Sequence, residues 1–278
     1  MSLLVFSHAN SFPASTYREL FKLLRSRGFT VKAVEKFGHD PAYPVTNNWP
    51  HLVQQLADFA KRESDKAGEP AFLVGHSLGG FLSLMAAARH PELARAVLLL
   101  DSPILGGWRA TTLGVIKRTD LVGSFSPGAI SQKRRESWPS AEAALTHFQS
   151  KKAFSRWDAR VLQDYIDHGT HEEVSHTDKS GKPFAPKRLL SFQRDIETAI
   201  YNNLPDNLER LVRRHPLKCP IAFVGGLQSV EIKQAGMALT EKLTRGRISM
   251  VDGSHLFPME KPLTTAAMIE ASLRSMVH

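Results

Sequence analysis

Short, wholly apolar runs alternate in the first hundred residues with longer stretches whose apolar positions recur every three or four residues. Residues 29–34 read as a further strand, interrupted by Thr30 and Lys32; the wholly apolar runs are residues 3–6, 71–74 and 96–100, each bounded by glycine, proline or polar residues. They are too short for buried helices and too continuous for half-exposed strands, so they predict strands covered on both faces. Between them, residues 17–27 place Leu20, Phe21, Leu23 and Leu24 on one helical face and stop at Gly28. Residues 51–66 do the same with Leu52, Val53, Leu56, Phe59 and Ala60, ending at Gly68 and Pro70. A third helix is predicted over 80–90. Strand–helix–strand order with continuous apolar strands predicts an α/β fold. Its parallel sheet is doubly wound, with right-handed crossovers and helices on both faces.

The rhythm breaks between residues 104 and 215, where no buried strand is apparent. Helices are predicted over 141–148, 158–168 and 187–201, and residues 178–182 read as a turn, as in a small hairpin. A segment this long is not a loop, so it reads as an inserted, mostly helical cap. Trp108, Trp138, Phe148, Phe154, Trp157 and Phe192 are expected mainly to pack the cap onto the core. The alternation then returns: a strand over 220–226, a helix over 232–244, a strand over 247–251 and a closing helix over 262–276. The expected organisation is a core in two parts, 1–103 and 216–278, with the cap as 104–215.

Composition changes this picture little. At 278 residues, 42% hydrophobic and 23% charged, the chain is an ordinary globular one. Its one cysteine, Cys219, excludes an internal disulfide, fits a reducing compartment and reads as a buried structural thiol. The net charge of +9 is spread out, and its densest clusters, Lys133–Arg135 and Arg210–Arg214, carry no nucleic-acid motif. A solvated basic face is expected, with no nucleic-acid partner. No run approaches the roughly 20 apolar residues needed to span a bilayer. Residues 1–6 lack the basic start of a signal peptide. A cytoplasmic protein is expected, and a homodimer is left open.

Candidate chemistry centres on Gly75-His76-Ser77-Leu78-Gly79-Gly80, between a predicted strand and a predicted helix. In that setting Gly-x-Ser-x-Gly reads as a nucleophile elbow, with the serine on a strained turn and the helix start offering N–H groups to an oxyanion. A serine hydroxyl needs a base. His255, on the loop after the last strand, is in the place where that base is expected. His168, His171 and His176 lie close together, but a polar loop explains them better than a metal site, and no metal or cofactor is expected.

These residues, with the strand-end Ser7-His8-Ala9-Asn10, the Gly38-His39-Asp40 loop and Gly253-Ser254-His255, resemble the α/β-hydrolase fold over nearly the whole chain outside the cap. The resemblance implies a sheet of about six strands, essentially all parallel. The antiparallel pair that usually opens the fold has no counterpart, because residues 3–6 already hold the third-strand position. It also implies an oxyanion hole made by the backbone N–H of Leu78 and one from the first loop, Asn10 by preference or Ala9 or Ser11. His8 then shapes that loop, and His76 packs or touches substrate. Where the family most often places the triad acid, this chain has Gln228. Asp101, ending the strand after the elbow unit, is the first replacement, and Glu231 would require a displaced loop. Gln228 as a neutral orienter and a Ser–His pair without an acid are the other readings. The function implied is a serine hydrolase, esterase- or thioesterase-like, that forms an acyl-enzyme on Ser77. A carbon–carbon bond hydrolase and a non-catalytic ligand-binding relative are the alternatives. Ser77 speaks against epoxide hydrolase or dehalogenase chemistry, which needs an aspartate at the elbow.

Overall fold

The computed structural model describes residues 1–104, 127–173 and 187–277. The chain first lays down β1 (Ser2–Ser7), α1 (Arg18–Arg25), β2 (Phe29–Ala33), α2 (Pro50–Ala67), β3 (Ala71–His76), α3 (Leu78–Arg89) and β4 (Ala94–Leu100). After the insertion come β8 (Ile221–Gly226), α9 (Val230–Ala235), α10 (Ala238–Thr244), β9 (Ile248–Val251), α11 (Phe257–Glu260) and α12 (Pro262–Ser275). The six core strands form one sheet in the order β2-β1-β3-β4-β8-β9, and every pairing is parallel. The apolar runs are buried on both sides for the reason the sequence suggests. Leu4, Phe6, Val74 and Leu98 face the layer containing α1 and α12, while Leu3, Val5, Leu73, Val97 and Leu99 face that of α2 and α3. Successive strand side chains point to opposite faces, so a strand covered by helices on both sides has no position left for water.

Between β4 and β8 lie α4 (Pro127–Gln132), β5 (Ser137–Trp138), α5 (Ala141–Gln149), α6 (Ala159–His168), β6 (Thr170–Glu172), β7 (Arg188–Leu190), α7 (Arg194–Asn202) and α8 (Leu208–Arg214). Two expectations are corrected here. The insertion contains a three-stranded antiparallel sheet, β5-β7-β6, where helices and at most a small hairpin were expected. The helix predicted over 187–201 begins as β7, and only its later part is α7. A third correction concerns the helix predicted over 232–244, which is divided at Gly236, φ 73°, into α9 and α10. The turn at 178–182 lies outside the described residues, as do Trp108 and His176. The strands flanking that turn, β6 and β7, do pair antiparallel.

The aromatic residues of the insertion mostly pack as expected. Phe148, Phe154, Trp157 and Tyr165 form one cluster, and Phe12 of the core inserts into it at 5.3 Å from Trp157 and 5.6 Å from Tyr165. Each such ring removed from water stabilises the junction by about 2–3 kcal/mol. Cys219 is partly buried, and burial raises its thiol pKa to about 11, so it stays protonated. Among the described residues no helix is long and apolar enough to cross a membrane.

Candidate active site

At the C-terminal edge of the sheet, β3 turns sharply into α3 at Ser77. Ser77 has φ 53° and ψ −115°, outside the ordinary regions for a residue with a side chain. The turn can be this tight only because its flanks lack Cβ atoms. A Cβ on Gly75 would lie 2.1 Å from the carbonyl carbon of Gly79, and one on Gly79 would lie 1.9 Å from the carbonyl oxygen of Ser7. Among the described residues six non-glycine residues have positive φ, and three of them belong to this region: Ser11, Ser77 and Asp101. Strain of this kind persists where surrounding structure over-determines it, and it concentrates at functional sites.

Asp101 follows β4, and its side chain is fully buried. Its Oδ1 lies 2.7 Å from Nδ1 of His255 and accepts the Ser229 hydroxyl at 2.6 Å. Its Oδ2 accepts the Gly226 N–H at 2.7 Å. Three donors thus hold the carboxylate in place, as burial of a charge demands. Burial opposes protonation of His255, but the Asp101 hydrogen bond and charge, with a contribution from Glu231, hold its pKa above the ordinary imidazole value. Glu231 is 3.8 Å from the same Nδ1 and about half exposed. Gln228 is turned elsewhere: its Nε2 donates to Asp252 at 2.8 Å, and its Oε1 accepts from Arg156 at 2.5 Å. The acid against the imidazole therefore comes from the strand after the elbow unit. With Nδ1 turned to Asp101, Nε2 is the nitrogen left for proton transfer.

Behind the site runs a buried chain of hydrogen bonds. The Ala9 N–H donates to the Tyr17 hydroxyl at 3.1 Å, the Tyr17 hydroxyl lies 2.8 Å from His76 Nδ1, and His76 Nε2 lies 2.8 Å from the His255 carbonyl. The carbonyl can only accept, so Nε2 carries the proton, and Nδ1 accepts from Tyr17. His8 is likewise neutral. Its Nδ1 donates to the Ala9 carbonyl at 2.8 Å, and its Nε2 accepts the Phe37 N–H at 3.0 Å. Both histidines position the loops around the site, and neither lines the cavity.

Burial above all holds His8 at about 4 and His76 at about 3. The unfolded chain protonates both near pH 6.5. Below that value the native state binds fewer protons, so stability falls with falling pH, by on the order of 1 kcal/mol per pH unit for each histidine. His255 has the opposite sign: its stabilisation is present below the unfolded pKa and is lost as pH rises through its raised native value. Two against one, the urea midpoint is expected to drop between pH 6.5 and 5. An unchanged midpoint over that range would contradict the buried neutral assignments.

Ser77 and His255 open onto one cavity of about 640 Å³. Asn10, Ser11, Phe12, Phe154, Tyr201 and Leu256 contribute to its walls, and Arg134 and Glu197 form an ion pair at 3.1 Å within its lining. Leu78 is the first residue of α3, so its N–H has no carbonyl of that helix to bond. Asn10 stands on the facing loop. Among the described residues, Asp101, Glu231 and His255 offer metal-ligating atoms within 4.8 Å of one another. Asp101 and His255 Nδ1 are already engaged with each other there. His168 and His171 do not join such a group among the described residues. Tyr17, Ser229 and Glu197 gave no functional signal in the sequence, and Arg134 entered only as part of the basic cluster Lys133–Arg135, where it is paired with buried Glu197. Only Ser229, as the side-chain N-cap of α9, belongs to a recognisable local pattern.

Sequence and structure comparisons bear on the family and the fold. A protein of Mycobacterium phage D29, provisionally named a non-heme haloperoxidase, is 23% identical over 97% of this chain and 87% of its own. The 2-(acetamidomethylene)succinate hydrolase of Mesorhizobium japonicum is 33% identical over 36% of this chain and 35% of its own. The crystal structure of E-2-(acetamidomethylene)succinate hydrolase superposes with a TM-score of 0.68 at 21% identity, covering 98% of this chain and 91% of that one. The sequence model of the alpha/beta hydrolase family matches residues 4–268. The chain belongs to the alpha/beta hydrolase family.

Proposed function

We propose that this protein is a serine hydrolase that cleaves small or medium acyl esters or thioesters. The observation that carries the reading is the 2.7 Å contact between Asp101 and His255 at a cavity that also exposes Ser77. Asp101 fixes the Nδ1–H tautomer of His255, so Nε2 can take the Ser77 proton as Oγ attacks the substrate carbonyl. The backbone N–H groups of Leu78 and Asn10 receive the oxyanion. The imidazolium returns its proton to the leaving group, water resolves the acyl-enzyme, and Ser77 is regenerated. Residues 104–215 act as the cap over a core of 1–103 and 216–278. An acid at Asp101 supports catalysis over the non-catalytic reading, which an amide at the usual acid position, Gln228, would favour.

A fluorophosphonate probe is expected to label the protein at Ser77, mapped by peptide mass. p-Nitrophenyl esters of graded chain length, set beside acyl thioesters, would then define the substrate class. Absence of labelling together with absence of turnover on every ester would sink the proposal.

A further inference from the structure

Glu197 is a buried carboxylate, 5% exposed, in the first turn of α7. The acid–base chemistry proposed above does not use it. Its placement is specific. Its Oε1 accepts the Ser11 hydroxyl at 2.5 Å, its Oε2 accepts from Arg134 at 3.1 Å, and its backbone carbonyl accepts from Asn10 Nδ2 at 3.1 Å. Ser11 is held at φ 78°, and its N–H donates to Asn10 Oδ1 at 3.1 Å. One residue of the insertion therefore grips both members of the Asn10–Ser11 pair.

Outside α7, that pair has little to fix it. β1 ends at Ser7, and the turn that follows is closed by a single backbone bond, Phe12 N–H to Ala9 carbonyl at 3.3 Å. Upstream, Tyr17 holds the Ala9 N–H. Downstream, Ser11, whose conformation is unfavourable for a non-glycine residue, has its side chain held by Glu197 and by the Tyr201 hydroxyl, both on α7. The direction of the Asn10 N–H depends on both clamps. Removing a charge from water is costly unless its partners fix it well. Arg134 alone could neutralise Glu197 anywhere in the insertion. It is the contacts to Ser11 and Asn10 that place the carboxylate above the loop.

We propose that Glu197 is a positioning residue for the oxyanion loop, so that docking of the insertion completes the oxyanion hole. This rests on the serine hydrolase reading and goes one step further. Glu197 touches no reacting atom. It sets the Asn10 amide through Ser11 and the Asn10 side chain.

The test compares Glu197→Ala, Glu197→Gln and Ser11→Ala with wild type. Two quantities are measured: kcat and KM on a p-nitrophenyl ester, and the rate of fluorophosphonate labelling at Ser77. Labelling needs the oxyanion hole but no deacylation. Glu197→Ala is expected to lower kcat and labelling rate together by about 10- to 100-fold, with KM changed less than about threefold, as for a misplaced oxyanion donor. Ser11→Ala removes the same contact from the other side and should show the same split. Glu197→Gln keeps an oxygen that can accept from Ser11 and should recover to within about fivefold of wild type. If Glu197→Ala does not fold, Ser11→Ala decides. Rates within twofold of wild type in the variants that fold, or a loss confined to KM, would overturn the proposal. Failure to label wild type would instead remove the serine hydrolase reading, and this one with it.

Discussion

Asp101→Asn is expected to lower kcat by about 10³- to 10⁴-fold while leaving the fold intact, because it changes the histidine tautomer rather than the shape of the site. Asparagine is isosteric, and its oxygen can still accept from Gly226 or Ser229, the two other donors to this side chain. An amide NH₂ facing His255 would select the imidazole whose Nδ1 is unprotonated. Nε2 would then carry the proton, and the ring could not act as base toward Ser77. The pH dependence supplies a second readout. The base works when neutral, so wild-type activity rises with pH through a midpoint above the ordinary imidazole value, as the raised His255 pKa requires. In Asp101→Asn burial still favours the neutral ring, while the largest opposing contribution is gone. The residual activity should therefore rise at lower pH. Glu231→Gln is the control. At 3.8 Å and about half exposed, this carboxylate is worth little in solvent, and less than about a fivefold loss is expected. Equal losses in the two variants would sink the assignment of Asp101.

The contrast between Asp101 and Gln228 shows how far the sequence can be read. Strands buried on both faces, the elbow and the loop bearing His255 are local patterns, and each is legible as composition and spacing. Gln228 at the usual acid position is also legible, as a departure. What replaces it depends on which strand ends lie side by side, and the β4–β8 pairing that brings Asp101 to Gly226 and Ser229 joins segments far apart in sequence. Of the insertion's antiparallel sheet the sequence suggests only a hairpin turn, because the strands are two or three residues long, too short to show an alternating period. Tyr17 meets His76 across 59 residues, and Ser11 meets Glu197 across 186. No periodicity signals contacts of that range.

Ser77→Ala is expected to abolish fluorophosphonate labelling and to lower kcat by at least about 10⁴-fold, leaving only what binding and the oxyanion donors provide without a nucleophile. The substitution removes one oxygen from the cavity wall. The hydrogen bonds that shape the elbow belong to the backbone: the Ser77 N–H donates to the Leu100 carbonyl at 3.0 Å, and the Ser77 carbonyl accepts from Gly80 at 3.0 Å. Alanine can make both, so stability should stay within about 1 kcal/mol of wild type. A large loss of activity at unchanged stability is the signature of a nucleophile, since a turn serine would give neither the loss nor the probe adduct. The result also separates the readings of this site. A non-catalytic relative would lose nothing on Ser77→Ala, and a base-activated water acting without the serine would keep most of kcat. Either outcome would leave the strained backbone at φ 53° as a feature of the turn alone. Complete loss, with Asp101→Asn retaining a small, pH-shifted remainder, would order the two residues as the mechanism does: Ser77 forms the bond, and Asp101 acts only through His255.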